Sequence, residues 1–193
     1  MPKDKFVPVI EVPVAFQKFM KQILLLICLL NLVACNARTE RNKILVENNF
    51  DGLEGWGVAH PSLTNERAFS GKYALKAGDS IEYSLGINQQ LGKLTGRKPE
   101  KIKVELKAYI QSSNAKAKFV CLFSDTLTNA TIFYHEFNLP DKTLDYREWV
   151  TINKRIDLPE EIKLSHNFRC YLWRSEPTRE LVFIDDLRIT VLK

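Results

Sequence analysis

Ile102, Val104, Leu106, Ala108 and Ile110 alternate with Lys103, Glu105, Lys107 and Tyr109. Successive side chains of an extended chain point to opposite faces, so this segment is apolar on one side and polar on the other. That is the pattern of a half-buried strand. Segments of similar length and bias recur along the chain: Lys43–Val46, Ala74–Ala77, Ile81–Ile87, Lys116–Ser124, Thr131–Asn138, Glu148–Asp157, Asn167–Ser175 and Leu181–Leu192. In the third of these, Ile81, Tyr83, Leu85 and Ile87 alternate with Glu82, Ser84 and Gly86. Ser112-Ser113-Asn114, Asp125 to Asn129, Pro140-Asp141 and Glu176-Pro177 supply turns between strands. No stretch keeps a helical period over three turns, and Pro159-Glu160-Glu161 supports one turn at most. Nine or so strands in one unit predict an all-β, two-sheet antiparallel sandwich.

Before the strands comes an apolar run, Ile23–Leu32, ending in Leu32-Val33-Ala34-Cys35. It is shorter than the roughly 20 residues that span a bilayer. Asn31 interrupts it, and Asn36, Arg38, Glu40 and Arg41 follow at once. The junction resembles the lipobox of bacterial lipoprotein signal peptides. The resemblance implies cleavage before Cys35, a diacylglycerol on its thiol and acylation of its new amino group. Each buried methylene contributes about 0.8 kcal/mol, and two or more chains anchor stably where one does not. The resulting division is a signal peptide over 1–34, a lipidated tether over 35–43 and the sandwich over 44–193. Met20-Lys21-Gln22 is a compact basic start by itself, so the signal begins at Met1 or at Met20. A signal peptide cleaved without lipidation and a spanning anchor are the competing readings. The implied location is the cell envelope, at the outer membrane, since Asn36 is not the Asp that resembles an inner-membrane retention signal. The leaflet is open.

Charge and cysteines narrow the function. The chain carries a formal +5, and the leader takes four lysines and two acids with it, leaving +3. The basic residues are scattered and not gathered in a stripe, which argues against nucleic acid. Cys28 leaves with the leader and Cys35 takes the lipid, so only Cys121 and Cys170 remain, too few for a zinc site. An exported protein permits a disulfide between them. Two free thiols buried in mid-strand are the other reading.

A catalytic reading finds little support, although a pair of carboxylates from distant strands stays open as the alternative. His60, His135 and His166 are isolated, and His135 alternates with Phe133 and Phe137 as a half-buried sheet residue would. Glu160-Glu161 and Asp185-Asp186 are neighbours, so within a strand each pair points to opposite faces. There is no Gly-rich phosphate loop and no Ser/His/Asp order. The expectation is that the protein is not an enzyme.

Four landmarks occur in order: Asn49-Phe50-Asp51-Gly52-Leu53-Glu54-Gly55-Trp56; Ala68-Phe69-Ser70-Gly71-Lys72-Tyr73-Ala74-Leu75-Lys76; Trp149-Val150-Thr151 leading to Ile156-Asp157-Leu158-Pro159; and Val182-Phe183-Ile184-Asp185-Asp186-Leu187-Arg188-Ile189. They resemble the jelly-roll carbohydrate-binding modules of families 4, 9 and 22, within the galactose-binding-like fold, over residues 44–192. The resemblance implies that the first and last strands lie side by side. Trp56 would plug one end of the sandwich, flanked by Gly55 and Gly57. Leu75, Val104, Leu106, Phe119, Phe123, Ile152, Phe183 and Ile189 are expected in the core. Members of the fold often hold a structural calcium between the first and last strands. By position Glu47, Asp51, Asp185 and Asp186 are its candidate ligands, with ordinary backbone pairing of the carboxylates as the alternative.

The resemblance also implies a sugar-binding sheet face, and one strand suits it. Phe168, Cys170 and Leu172 share a face; Arg169, Tyr171 and Trp173 share the other. With the first set on the core, two aromatics and a guanidinium line the outside, where flat sugar faces stack and Arg bridges hydroxyls. On the companion strand Phe119, Cys121 and Phe123 would point inward, and Lys118, Val120, Leu122 and Ser124 outward. Tyr109 and Tyr134 are further candidates. The partner is then a glycan or, alternatively, a protein of a cell-envelope complex, with the membrane reached through the N-terminal lipid.

Overall fold

The computed structural model describes residues 43–53 and 60–192. The leader, Cys35 with its tether through Asn42, and Trp56 with its flanking glycines lie outside the described residues. Ten strands follow in order: β1 (Ile44–Asn48), β2 (Leu63–Thr64), β3 (Ala74–Ala77), β4 (Tyr83–Gln90), β5 (Lys101–Ile110), β6 (Ala117–Ser124), β7 (Thr131–Asn138), β8 (Trp149–Asp157), β9 (Asn167–Arg174) and β10 (Val182–Leu192). Among the described residues the one α-helix is a single turn, Leu91–Leu94.

The strands form two antiparallel sheets. One runs β2-β3-β10-β5-β8 with β1 also on β10; the other runs β4-β9-β6-β7. β3 pairs with the first part of β10 and β1 with its later part, Ile44 opposite Thr190. Val191 N donates to Lys43 O at 2.8 Å, so the first and last strands lie together as expected. Between the sheets Phe119, Phe123 and Phe168 join Leu106, Ile110, Leu172 and Ile189, all essentially inaccessible. Burying a side chain of this size contributes roughly 1.5–3 kcal/mol. The eight described residues expected in the core are all buried.

The strand β10 is broken by a bulge. Its register on β5 shifts between Asp185 and Arg188, and Asp186 takes a left-handed φ of 46°. A bulge re-aims side chains, and this one turns both carboxylates onto the turn at 69–73. Asp185 accepts Phe69 N at 2.8 Å, Ser70 N at 3.0 Å and Asp186 N at 2.7 Å. Ser70 Oγ donates to Asp186 Oδ1 at 2.6 Å. From the other side Asp51 accepts Lys72 N at 2.8 Å and Tyr73 N at 2.9 Å. Gly71 sits between these grips at a φ of 58°. Three of the four landmarks quoted from the sequence thus meet in one device: a glycine turn clasped by carboxylates from two remote segments.

Candidate functional site

The strand β9 sits inside the smaller sheet, between β4 and β6, so each of its outward side chains has a neighbour on both sides. Phe168, Cys170 and Leu172 are buried between the sheets. Arg169, Tyr171 and Trp173 therefore lie together on the outer face, half-buried among their neighbours. Antiparallel pairing sets residues out in rows. Trp173 lies between Tyr83 and Lys118, Tyr171 between Gly86 and Val120, and Arg169 between Asn88 and Leu122. On β7, Glu136 and Tyr134 extend the second and third rows.

The aromatic part of this face is Tyr83, Tyr171, Trp173 and Tyr134. Tyr83 and Trp173 are parallel within 5° with centroids 6.3 Å apart, and Tyr171 meets Tyr83 edge-on at 6.0 Å. Tyr83 is 49% exposed, so the row offers a ring surface to solvent. Trp173 Nε1 is buried and makes no hydrogen bond of ordinary geometry among the described residues. The polar part is a network. Lys118 pairs with Glu136 and stands 5.4 Å from the centre of the Trp173 ring. The Tyr134 hydroxyl donates to Glu136 at 2.6 Å, and burial together with that carboxylate pushes the phenol well above its ordinary range. Glu136 itself titrates below its usual value: burial acts upward, but Lys118 and Tyr134 outweigh it. At the Arg169 end, Nε donates to Asn88 Oδ1 at 3.2 Å and one terminal nitrogen to Asn129 Oδ1 at 3.3 Å.

Tyr83 is the residue the sequence reading placed elsewhere. A strict alternation puts it with Leu85 and Ile87 on one face. The β4–β9 register shifts between Tyr83 and Gly86, so Tyr83 turns out and Ser84 turns in, where it accepts from Leu172 N at 2.9 Å. Gly86 inside a strand was the available signal, since such glycines mark bulges or close approaches. It is also a close approach: a Cβ there would lie 2.5 Å from Cys170 O and 2.9 Å from Tyr171 Cβ. Val120 lies on the outer face as its parity requires, yet it is fully covered, the floor between Tyr171 and Glu136.

Tyr109 is not part of this face. It points outward from β5, in the other sheet, and is only 8% exposed. Arg67 lies 3.9 Å above its ring, and Trp149 and Phe183 meet it edge-on at 5.9 and 6.0 Å. These contacts make it a seat for the segment at 65–69. Nor do the four acids considered for calcium form a cage. Glu47 pairs with Arg188 on the sheet face, Asp51 clasps one side of the 69–73 turn, and Asp185 and Asp186 hold the other. Burial pushes the Asp185 carboxyl above its ordinary value despite its three amide donors. Among the described residues no three His, Cys, Asp or Glu side chains are grouped to hold a metal. The donor set does not fit the ion.

The remaining chemistry-bearing side chains have structural surroundings. Cys121 and Cys170 are free, buried and opposite one another across β6 and β9. Burial pushes Cys170 up to about 12 and Cys121 well above its usual value, so neither is a nucleophile at neutral pH. His135 stacks on Phe133 and is held below its ordinary value by burial and by Lys154. His166 Nδ1 accepts Lys163 N in a turn. A groove of about 770 Å³ crosses the outer face of the larger sheet, bordered by Glu47, Glu105, Lys107 and Arg188. Of its charges, Glu47 pairs with Arg188, while Lys107 donates to Thr151 Oγ1 at 2.8 Å.

No family model and no curated protein matches this chain in sequence. Solved structures do match in fold. The CBM22-1 xylan-binding domain of Paenibacillus barcinonensis Xyn10C superposes with a TM-score of 0.50 at 16% identity, covering 79% of this chain and 96% of that one. The tandem CBM22-1-CBM22-2 structure from the same protein gives the same score and identity, over 79% of this chain and 46% of that longer one. The fold is therefore the jelly-roll sandwich of carbohydrate-binding modules, as the sequence landmarks implied.

Proposed function

We propose that the outer face of β4-β9-β6-β7 binds a glycan without chemical turnover, on a protein held at the cell envelope by a lipid on Cys35. The observation that carries this reading is the aromatic row Tyr83, Tyr171 and Trp173, partly open to solvent and flanked by Arg169, Asn88 and the Lys118–Glu136 pair. Sugar rings bury flat C–H surfaces on such rings, while the polar rim pairs with hydroxyls. No acid–base pair or activated nucleophile accompanies the row among the described residues, which supports binding over hydrolysis.

One aromatic row and a few polar partners suit weak association, in the millimolar to micromolar range, about −4 to −8 kcal/mol. Trp173 has the largest ring of the row and is braced by Tyr83 and Lys118, so it should dominate, as packed aromatic anchors do. Affinity electrophoresis against a polysaccharide panel tests the reading, with xylan the first polymer to try because the matched domain is described as xylan-binding. Retardation by at least one polymer, largely removed by Trp173→Ala with the melting temperature within a few degrees, is the expected result. No retardation by any polymer would hand the face to a protein partner. The anchoring half is tested separately: Cys35→Ser should release the protein from the membrane fraction, and unchanged retention would reject it.

A further inference from the structure

The charge of Arg169 stands out on the proposed binding face. Its partners there are Asn88 Oδ1 and Asn129 Oδ1, both neutral amide oxygens. They come from different places, Asn88 on β4 and Asn129 from the β6–β7 turn, where it holds a left-handed φ of 57°. Two of the five guanidinium N–H donors are thereby engaged and three are left. Among the described residues no carboxylate pairs with Arg169. Glu136 on the same face is occupied by Lys118 and Tyr134. Asp125, at the start of the turn that carries Asn129, spends its Oδ1 on Leu127 N, Thr128 N and the Thr128 hydroxyl.

The side chain is thus aimed by two contacts that do nothing to neutralise it. A guanidinium stays charged at any physiological pH, and its planar donors match a carboxylate in two-point geometry. Alternate residues of a strand are about 7 Å apart, so this charge lies one step along β9 from the Tyr171 ring. Its field reaches that ring: burial pushes the Tyr171 hydroxyl up, and Arg169 pulls it back.

We infer that the ligand of this face is an acidic polysaccharide, whose uronic-acid carboxylate pairs with Arg169 while a neighbouring sugar ring lies on Tyr171 and Trp173. This inference rests on the glycan reading above and narrows it to a class. It also gives Asn88 and Asn129 a role, as positioning residues that hold the guanidinium without spending its charge.

The test compares each acidic polymer with its own neutral form. Polygalacturonate, alginate and glucuronoxylan are each used native and after carboxyl reduction, in affinity electrophoresis of the full chain in non-ionic detergent. The expected result is a preference of about tenfold or more for one native polymer over its reduced form, equivalent to about 1.4 kcal/mol. Rising salt should shrink that preference. Arg169→Gln should abolish it and Arg169→Lys should keep part of it, with both variants melting within a few degrees of the parent. Equal binding of native and reduced polymers would overturn the acidic assignment and leave the glycan reading standing. So would a preference that survives Arg169→Gln. Failure of the parent chain to bind any polymer of either kind would overturn both.

Discussion

Gly71→Ala should destabilise the domain through a carboxylate as well as through its own backbone, and the two parts can be separated. At a φ of 58° a residue with a Cβ is strained by about 1–2 kcal/mol. An added Cβ would also fall 1.6 Å from Asp51 Oδ2, so the Asp51 carboxylate must leave its place. It then gives up Lys72 N and Tyr73 N, two bonds to a charged acceptor at a solvent-exposed edge. Allowing for that exposure, the pair contributes about 1.5–3 kcal/mol. The sum predicts a loss of about 2.5–5 kcal/mol for Gly71→Ala in the parent. In an Asp51→Ala background the bonds are already gone, and the same substitution should cost only the backbone strain of about 1–2 kcal/mol. Urea unfolding followed by tryptophan fluorescence, with the four members of the cycle sharing one m-value, measures the coupling. An identical cost in both backgrounds would show that Asp51 does not hold the turn.

Tyr109→Ala should cost about 2–4 kcal/mol, because its ring is covered by Arg67, Trp149 and Phe183, yet leave polysaccharide retardation as it was. That is the reverse of Trp173→Ala, so the two variants compared by melting and by affinity electrophoresis distinguish seat from site. Cys121 and Cys170 should resist a thiol reagent in the folded protein and react promptly in denaturant, as their burial and raised thiol values require. Fast labelling of either in buffer would contradict the packing of β6 on β9.

The strands were legible because burial on one face of a sheet imposes a period of two. Val104 and Leu106 on β5 and Phe119 and Phe123 on β6 fall on the inner faces that this period assigns. Arg169, Tyr171 and Trp173 were legible for the same reason. Parity, however, says which residues share a face and not which sheet a strand joins. Tyr109 points outward as expected, but from β5, and the other sheet carries the aromatic row. Tyr83 was hidden differently, since a bulge reverses the parity that any counting argument relies on. Parity sent Asp185 and Asp186 to opposite faces of a regular strand, whereas the bulge turns both onto the 69–73 turn. Their acceptors' partners, the amides of Phe69 and Ser70 and the Ser70 hydroxyl, lie more than a hundred residues away in sequence, beyond what a local pattern can assign.

The hydrogen bond from Val191 to Lys43 brings the two ends of the domain within one backbone contact of each other. Chain order and sheet topology are therefore nearly independent here. A linker of a few residues could join the ends, and new ends could be opened at the β7–β8 connection, where Leu144 is 90% exposed and no strand ladder is cut. In such a circular permutant β8 would lead the chain and β7 would close it, while the face built by β4, β9, β6 and β7 stayed whole. For the same reason the domain can be spliced into a surface loop of another protein as readily as attached at an end, so the aromatic row is a portable part.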